Sequence, residues 1–377
     1  MSETLYGVLF FVAIIVVIVI HEAGHFVAAK ACRMRVEEFF VGFGPRLWSM
    51  RRGETEYGVK LFLLGGYVRI AGMNPFQQPS VADRGRTYAD KPVWQRAVVV
   101  ACGPLTHFVI AVLLLASVFV FYGTARHGPH PQIAAVSKTL NGAASPALVA
   151  GLRPGDEVVS LNGRLVHSPE DFVEVTRDRV GEPVRVAYLR QGVLRETTVV
   201  PVLAPVNGKM VGRIGIEVGP KIVGYTRTNP FTGVVKGTGL TWNISVAIVQ
   251  RLGDVFGPTG IRRIADLLGG APRRTTDVGS IVGTARLAGQ AAAQRDWSDL
   301  LVLFATVNIF VGILNLLPVL PFDGGHVAIA LWEKVTRRRV DTRKLIPVAA
   351  VVLGFLLLFS VSVLYLDFVN PIPNPFR

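Results

Sequence analysis

Four long apolar stretches constrain this chain more than any other feature. They cover about residues 5–20, 94–122, 299–317 and 345–366. Each is near the ~20 residues that an α-helix needs to cross the hydrocarbon core of a bilayer. A backbone in lipid must satisfy its own hydrogen bonds, so the four stretches are predicted to be membrane-spanning helices. Because 50% of the 377 residues are hydrophobic and only 18% are charged, a disordered chain is excluded.

The first stretch is predicted to remain in the protein as a helix over residues 1–31. A cleaved signal peptide begins with basic residues and ends at a site of small residues. Residues 1–3 are not basic, and His21-Glu22 stands where such an apolar run would end. Apolar residues then continue to Ala31, which favours an uncleaved membrane helix.

Basic residues predict the orientation of the helices. Ten Lys and Arg residues lie between the first two stretches, at 31–93, and six more lie at 334–344, between the last two. The positive-inside rule places both links in the cytoplasm, and the termini and the 123–298 segment outside. The net charge of +14 is then explained by membrane topology, so no nucleic-acid partner is expected. The predicted location is the inner or plasma membrane.

Between the second and third stretches, residues 130–205 have the pattern of a small α+β domain. Its turn and cap signals are Gly151, Asn162-Gly163, Ser168-Pro169 and Gln191-Gly192. Its main strands are predicted at 157–161, 184–189 and 196–202. The order of these elements resembles PDZ domains attached to bacterial envelope proteases. The resemblance implies that a peptide or a substrate segment binds at a sheet edge; a spacer domain without a ligand is the alternative.

Residues 206–297 are predicted to be an extracytoplasmic linker followed by amphipathic helices. The linker at 206–222 includes a short strand, and the helical patterns that follow break at Gly257-Pro258 and Gly269-Gly270. Residues 231–255 are long enough for a fifth span. Their glycines and charged residues, together with the need for a consistent orientation, favour an amphipathic helix on the outer surface of the membrane.

The first stretch contains His21-Glu22-Ala23-Gly24-His25, an HExxH motif. Histidines four residues apart on a helix lie about 40° apart around its axis, so both imidazoles can reach one metal ion. In this motif the histidines bind zinc and the glutamate acts as general base. The motif therefore predicts one Zn²⁺ per chain, bound by His21 and His25 beside Glu22. Histidines that only bond neighbouring helices are the alternative, although ionisable groups in apolar spans usually mark functional sites.

A third zinc ligand is expected from another span, because catalytic zinc usually has three protein ligands and an open position. The end of the third stretch runs from Asn315 to His326 and includes Pro-Phe-Asp-Gly-Gly. Asp323 offers a carboxylate at this membrane boundary and is the favoured third ligand. A helix cap is the alternative role for Asp323. His326, beyond a predicted Gly324-Gly325 turn, is the competing ligand.

Together, the HExxH motif, the Leu-Pro-Phe-Asp-Gly-Gly stretch, the four spans and the inserted PDZ domain resemble the bacterial site-2 protease family. The similarity covers essentially the whole chain and is strongest to the regulator-of-sigma-E proteases, with Pro318-x-x-Pro321 as in actinobacterial members. It implies an intramembrane zinc metalloendopeptidase with His21, His25 and Asp323 as ligands. Glu22 would be the base. The implied substrates are single-span membrane proteins, such as anti-sigma factors or signal-peptide remnants.

The same resemblance implies roles for two asparagines of the third stretch. Asn315, eight residues before Asp323, matches a family asparagine that holds substrate or steadies the developing oxyanion; an amide that bonds another helix is the alternative. Asn308 is a weaker match, because the upstream family asparagine has a different spacing. In the second span His107 stands where the family commonly has asparagine, and it is not counted as a ligand.

The link at 32–93 contains two apolar alternating runs, 59–64 and 67–70, on either side of Gly65-Gly66. The alternation and the glycine pair predict a membrane-associated β-hairpin. The resemblance implies that this element clamps an unwound substrate strand; an amphipathic surface hairpin is the alternative. The candidate clamp residues are Val59, Leu61, Tyr67 and Val68.

The sequence thus predicts a polytopic α-helical membrane protein with four transmembrane helices, a membrane-associated β-hairpin and an inserted α+β PDZ domain. The predicted segments are the helix with the HExxH motif (1–31), the hairpin region (32–93), the second span (94–122), the PDZ domain (130–205), the linker and amphipathic helices (206–297), the third span (298–318), the Asp-Gly-Gly segment and link (319–344), the fourth span (345–366) and an extracytoplasmic tail (367–377). Its expected partners are the lipid bilayer, single-span substrates and a peptide at the PDZ domain. The metal site faces the cytoplasmic side.

Two other functional classes fit parts of the pattern less well. A receptor scaffold built around a structural zinc would not need Glu22, a carboxylate that is not a ligand. A metal transporter would have ionisable residues in several spans, but the interiors of the second and fourth spans offer only His107.

Overall fold

The computed structural model describes residues 3–74, 80, 83–206, 209–274, 277–280, 283–284, 297–338 and 340–372. The chain forms two compact units: a membrane unit, Met1–Phe121 with Thr228–Arg377, and an inserted unit, Tyr122–Arg227. Parts of the predicted amphipathic segment, at 285–296, and of the predicted tail, at 373–377, lie outside the described residues.

The predicted spans are all helical. In chain order the helices are α1 Glu3–Ala31, α2 Val93–Ser117, α3 Pro146–Val149, α4 Pro169–Arg177, α5 Pro230–Phe256, α6 Pro258–Leu268, α7 Trp297–Asn315, α8 Asp323–Thr336 and α9 Ile346–Val369. Segments long and apolar enough to cross a membrane are Phe11–Ala31, Val93–Tyr122, Trp297–Asn315 and Arg343–Val369. They correspond to α1, α2, α7 and α9, which confirms the four predicted spans.

The strands fall into two groups. They are β1 Val36–Arg52, β2 Thr55–Ile70, β3 Thr124–Val136, β4 Thr139–Leu140, β5 Ala143–Ala144, β6 Glu157–Leu161, β7 Arg164–Leu165, β8 Val184–Arg190, β9 Val193–Val199, β10 Val202–Val206, β11 Lys209–Arg213 and β12 Ile216–Thr226. β1 and β2 belong to the membrane unit. In the inserted unit the main sheet has the order β12-β3-β6-β8-β9, with β7 beside β6.

The β-region of the membrane unit is not the predicted hairpin. β1 and β2 both bend, so that the first half of β1 has a partner strand on each side. Phe40 lies opposite Gly58 in the first half of β2 and opposite Tyr67 in its second half. The second half of β1 also pairs with the first half of β2, where Trp48 lies opposite Val59. The four segments therefore lie in the order 46–52, 55–62, 36–43 and 66–70.

This order corrects the prediction for two clamp residues. Val59 has a partner on each side, Val41 and Trp48, and Leu61 follows in the same inner segment. Neither residue therefore lies on a free sheet edge. The Gly65-Gly66 pair correctly indicates a change of direction, but a turn signal does not specify which strand becomes the partner. The free edges are the two outer segments.

Helix α5, predicted as an amphipathic helix on the outer surface of the membrane, packs along two of the spans. A Cβ atom on Gly237 would lie 2.8 Å from the carbonyl oxygen of Val112 in α2, so the two backbones are close. Further along α5, aliphatic side chains pack against a buried cluster from α2 and α7. The opposite face is also apolar, with Trp242 69% exposed. Small residues such as Gly237 allow this close helix packing.

A buried ion pair anchors α9. Arg273 Nη1 lies 2.7 Å from Asp367 Oδ1, and both side chains are almost completely buried. The backbone N–H of Ser280 donates to the other carboxylate oxygen at 2.7 Å. Because buried charges are costly unless they are paired, this contact holds the segment before α7 against the end of the fourth span.

The inserted unit confirms the predicted local signals. Ser168 accepts a hydrogen bond from the Asp171 N–H, and the Asp171 carboxylate accepts one from the Ser168 N–H, which forms a capping box for α4. Gly151 and Gly163 have φ angles of +74° and +81°, which favour glycine at the predicted turns. The helices cover a core that includes Leu152, Val158, Leu161, Phe172 and Val186. The last strand of the predicted set, β9, begins and ends three residues before the predicted 196–202.

The inserted unit extends beyond the predicted boundary at 205. β10 and β11 form a hairpin, and β12 pairs with β3 in the main sheet. Ile214 is 2% exposed within the core, and Ile216 and Val218 pack against that core. The stretch resembles a linker in sequence because it is rich in glycine, and its partner strand lies far earlier in the chain. A local pattern does not reveal such a pairing.

Candidate metal centre

The metal centre depends on a close approach of α1 and α2. A Cβ atom on Gly24 would lie 2.6 Å from the carbonyl oxygen of Cys102, and one on Gly103 would lie 2.2 Å from His25 Nε2. The two glycines therefore let the helices meet at the level of the HExxH motif. His25 Nδ1 donates to the carbonyl oxygen of Val99 at 2.9 Å. This bond leaves Nε2 with its lone pair toward the cavity, as a metal ligand requires.

Asp323 reaches the same place through a sharp change of direction after the third span. The sequence predicts a Gly324-Gly325 turn after Asp323, but both glycines lie instead in the first turn of α8, which Asp323 begins. A Cβ atom on Gly324 would lie 2.2 Å from the carbonyl oxygen of Leu316, so only glycine lets α8 start this close to the end of α7. The N-terminal end of a helix also favours a carboxylate.

The three predicted ligand atoms lie close together. His21 Nε2 and His25 Nε2 are 3.1 Å apart. Asp323 Oδ2 lies 3.2 Å from His21 Nε2 and 3.3 Å from His25 Nε2. Tetrahedral zinc with bonds of ~2.0 Å separates its ligand atoms by about 3.3 Å. The donor atoms therefore fit one zinc ion, and two imidazoles with one carboxylate are a donor set that zinc commonly has.

Glu22 lies beside the three ligands and in contact with the β-region. A Cβ atom on Gly66 would lie 3.2 Å from Glu22 Cγ. The Glu22 carboxylate accepts a hydrogen bond from the backbone N–H of Val68 and interacts electrostatically with His21, His25 and Asp323. The candidate base thus lies between the metal ligands and the outer segment 66–70.

A groove runs along this outer segment. Its volume is about 520 Å³, and its walls include Tyr67, Val68, Arg69 and His326. His326, the competing ligand, is therefore a wall residue and lies outside the triad of close donor atoms. Tyr67 donates to Glu38 at 2.5 Å, and burial followed by this hydrogen bond raises the pKa of Tyr67, so the phenol stays protonated. Such a groove beside a free strand edge suits an extended peptide.

Asn308 has a different role from the predicted one. Its amide oxygen accepts from His107 Nδ1 at 2.9 Å, and both side chains are buried. Its amide nitrogen donates to the carbonyl oxygen of Phe304, so the side chain is engaged within the helices and does not offer itself to substrate. The His107 ring lies 5.0 Å from the His21 ring and therefore packs behind a ligand. The pair was hidden in sequence because 201 positions separate its members.

Asn315 remains a candidate for substrate contact. It is the last residue of α7 and is half-buried. Within the ranges that the structure describes, its side-chain amide has no hydrogen-bond partner. An amide donor is therefore left available at the end of the third span.

A buried ion pair holds α8, and with it Asp323, against α2. Arg96 Nη1 lies 2.7 Å from Glu333 Oε2, and both side chains are largely buried. The other oxygen of Glu333 accepts from the Val340 N–H at 2.9 Å. Neither residue was singled out in sequence, because 237 positions separate Arg96 from Glu333. Only the packing of α8 reveals the pair.

Comparison with known proteins gives consistent matches over the whole chain. The profile of "Peptidase family M50" matches residues 9–359. "Zinc metalloprotease Rip1" of Mycolicibacterium smegmatis is 31% identical, with 97% of each chain covered. Rip1 of Mycobacterium tuberculosis is 32% identical, with 97% of each chain covered. "Metalloprotease MmpA" of Caulobacter vibrioides is 29% identical, and the match covers 86% of this chain and 85% of MmpA. The PDZ domain of an SdrC-like protein from Listeria monocytogenes matches 25% of this chain and 93% of that domain, at 18% identity and a TM-score of 0.21.

The contact between Gly103 and His25 gives a test of the centre. Gly103→Ala is expected to lower zinc affinity at least ~10-fold, because the added methyl group would occupy the position of the ligand nitrogen. Zinc content is measured by mass spectrometry on the purified protein. Gly354→Ala in α9 is the matched control, since its Cβ would meet nothing within 4 Å. Wild-type zinc content in Gly103→Ala would contradict the assigned geometry.

Proposed function

This chain belongs to peptidase family M50 and is a membrane-embedded zinc metalloendopeptidase, and from that premise we propose that it cleaves single-span membrane proteins within the bilayer. One observation carries the proposal. Three ligand atoms lie 3.1–3.3 Å apart inside apolar helices, with a fourth ionisable group, Glu22, beside them and not among them. A site that only stabilised the fold would not need that extra carboxylate.

His21, His25 and Asp323 would hold one Zn²⁺ per chain. When bound, zinc supplies Lewis-acid chemistry and an open coordination position for water. The chain's own residues prepare the three ligands. The Val99 carbonyl orients His25, and the start of α8 presents Asp323, which the Arg96–Glu333 pair keeps near α2.

Glu22 would move the protons of peptide hydrolysis. Its carboxylate takes a proton from the attacking water as the oxygen forms a bond to the scissile carbonyl carbon. It then gives that proton to the amide nitrogen as the C–N bond breaks. The proton taken from water therefore leaves with the amine product. The Val68 N–H keeps the carboxylate in place, and the available amide of Asn315 would donate to the developing oxyanion.

The segment 66–70 would hold the substrate in an extended form. A transmembrane helix shields its carbonyl groups with internal hydrogen bonds, so it must unwind before hydrolysis. An edge strand replaces the lost bonds by pairing with the substrate. Tyr67 and Val68 lie on such an edge, beside Glu22 and the groove. Of the four residues predicted for the clamp, these two keep that role.

The inserted unit would act as a filter for substrates, as expected for a PDZ domain. A groove of about 600 Å³ lies between α4 and the chain that leads into β12, with Val173, Thr176, Ile214 and Ile216 among its walls. β12 is an edge strand of the main sheet, so a peptide can extend the sheet there. The filter would admit substrates that have already been shortened outside the membrane.

The orientation of the chain follows from its basic links. The metal centre would face the cytoplasmic side, with the termini and the inserted unit outside, in the inner or plasma membrane. Anti-sigma factors and signal-peptide remnants are the substrate classes suited to this arrangement, which is that of regulated intramembrane proteolysis. A zinc-containing scaffold is the rival function, and the substitution of Glu22 separates the two.

Glu22→Gln is expected to slow cleavage of a single-span substrate at least ~100-fold, because an amide cannot accept the proton from water. Cleavage is measured by gel in detergent or in proteoliposomes. Zinc content and thermal stability are expected to match the wild type, because Glu22 is not a ligand. Cleavage at the wild-type rate by this variant would refute the assigned base and favour the scaffold.

Cysteine cross-linking tests the substrate strand. In the Glu22→Gln protein with Cys32→Ser and Cys102→Ser, Tyr67→Cys is paired with single cysteines placed along the substrate. An extended substrate is expected to cross-link at every second position, since side chains alternate along a strand. Val59→Cys, in the inner segment, is the control and is expected to give little cross-linking. A repeat of three to four residues would mean a helical substrate and contradict the clamp.

A charge in the PDZ groove tests the filter. Val173→Arg is expected to change the ratio of cleavage rates for shortened and full-length substrate at least ~5-fold, as loss of an interface contact does. Val193→Arg on β9 is the matched control, because that valine is also exposed but lies outside the groove. An unchanged ratio in Val173→Arg would remove the groove from substrate selection.

A further inference from the structure

An apolar groove outside the metal centre lies where α8 ends and α9 begins. Its volume is about 360 Å³, similar to small-molecule pockets of ~300–1,000 Å³. Its walls include Val319, Ala328, Ile329, Trp332, Leu345 and Val348, and none of the wall residues that the structure describes has a charged side chain. Trp332 is 62% exposed at the groove, as is common for tryptophan at the boundary between lipid and water.

A cluster of basic residues lies in the chain beside this groove. The chain from Trp332 to Leu345 connects two of its walls and contains the basic cluster, which we define as Lys334, Arg337, Arg338, Arg343 and Lys344. All five are exposed. Of the two acids in this stretch, Glu333 pairs with Arg96 in α2, and Asp341 accepts from the Arg343 N–H at 3.1 Å within the link itself. Among the residues that the structure describes, Lys334, Arg337, Arg338 and Lys344 have no ion pair.

The combination of groove and charge points to one class of ligand. The positive-inside rule accounts for basic residues in the link, but it does not require an apolar groove between the walls that the link connects. A phosphate joined to a long acyl chain matches both features at once. Basic pockets between membrane helices are known to suit anionic headgroups.

We propose that this groove and the basic cluster bind one anionic glycerophospholipid. Its phosphate contacts the basic cluster, and part of an acyl chain lies in the groove. Val319 and Gly325 in the groove wall belong to the turn and helix that carry Asp323, so the bound lipid packs against the rear of that segment. The site is separate from proteolysis, and its test does not depend on cleavage.

The test uses the full chain in nanodiscs of phosphatidylcholine with increasing phosphatidylglycerol, and native mass spectrometry counts the lipids that remain bound. The wild type is expected to retain one phosphatidylglycerol in preference to phosphatidylcholine. Replacement of Lys334, Arg337 and Arg338 by Gln is expected to weaken retention roughly 100-fold, at about 5-fold per charge. The matched control replaces Arg153, Arg185 and Arg195 of the inserted unit by Gln and is expected to retain the lipid.

Further experiments distinguish the contribution of the groove to lipid retention from that of the basic residues. Ala328→Trp fills the groove and leaves the charges intact, and it is expected to abolish the preference. Brominated phosphatidylglycerol is expected to quench Trp332 more than brominated phosphatidylcholine does, judged by the signal lost in Trp332→Phe. This second measurement needs no charge variant. Glycerol phosphate, which has no acyl chain, is expected not to compete.

Several results would overturn the proposal. They are equal retention of the two lipids by the wild type, wild-type retention by the Gln variant, and effective competition by glycerol phosphate. A fourth is the formation of dimers in which Trp332 is shielded, together with lipid retention that Ala328→Trp does not change. The last result would assign the groove to a second copy of the chain.

Discussion

The contact between α1 and α2 at two glycines is the constraint on which the metal centre depends. Histidine is large, and two imidazoles within an apolar helix need room on the neighbouring helix. Gly103 provides it, because a single methyl group there would lie 2.2 Å from His25 Nε2. The same approach brings the Val99 carbonyl to His25 Nδ1 and so directs the ligand nitrogen into the cavity. Without this crossing, the HExxH motif would expose three polar side chains to lipid, at considerable cost.

Three further polar pairs of the membrane unit join separate elements. His107 bonds Asn308, Arg96 pairs with Glu333, and Arg273 pairs with Asp367. Each pair joins elements that are distant in sequence, and together they fix α7, α8 and α9 around the site. Each pair costs desolvation free energy, but it fixes the relative positions of the elements that it joins. A metal centre built from two separate helices requires such fixed positions.

The β-region illustrates how a non-local pairing changes a functional interpretation. The apolar alternation and the glycine pair correctly indicated strands, and the resemblance suggested a clamp within residues 59–68. The first half of β1 then lies between the two halves of β2. Val59 is therefore in an inner segment, and Val68 is in an outer segment, where its N–H donates to Glu22. In the inserted unit, too, β12 pairs with β3 and turns a glycine-rich linker into an edge strand.

The sequence by itself determined the elements whose signals are local: four spans from their apolar length, and the turns and caps of the inserted unit. From one helical motif it also predicted two metal ligands and a base. It also indicated Asp323, because few carboxylates stand at a membrane boundary next to glycines. Only the tertiary structure decided which strand edge is free, that α5 packs along two spans, that Asp323 begins a helix, and that Asn308 is engaged by His107. The physical reason is the same in each case. These features depend on which distant segments come into contact, and helix or strand periodicity carries no information about the partner.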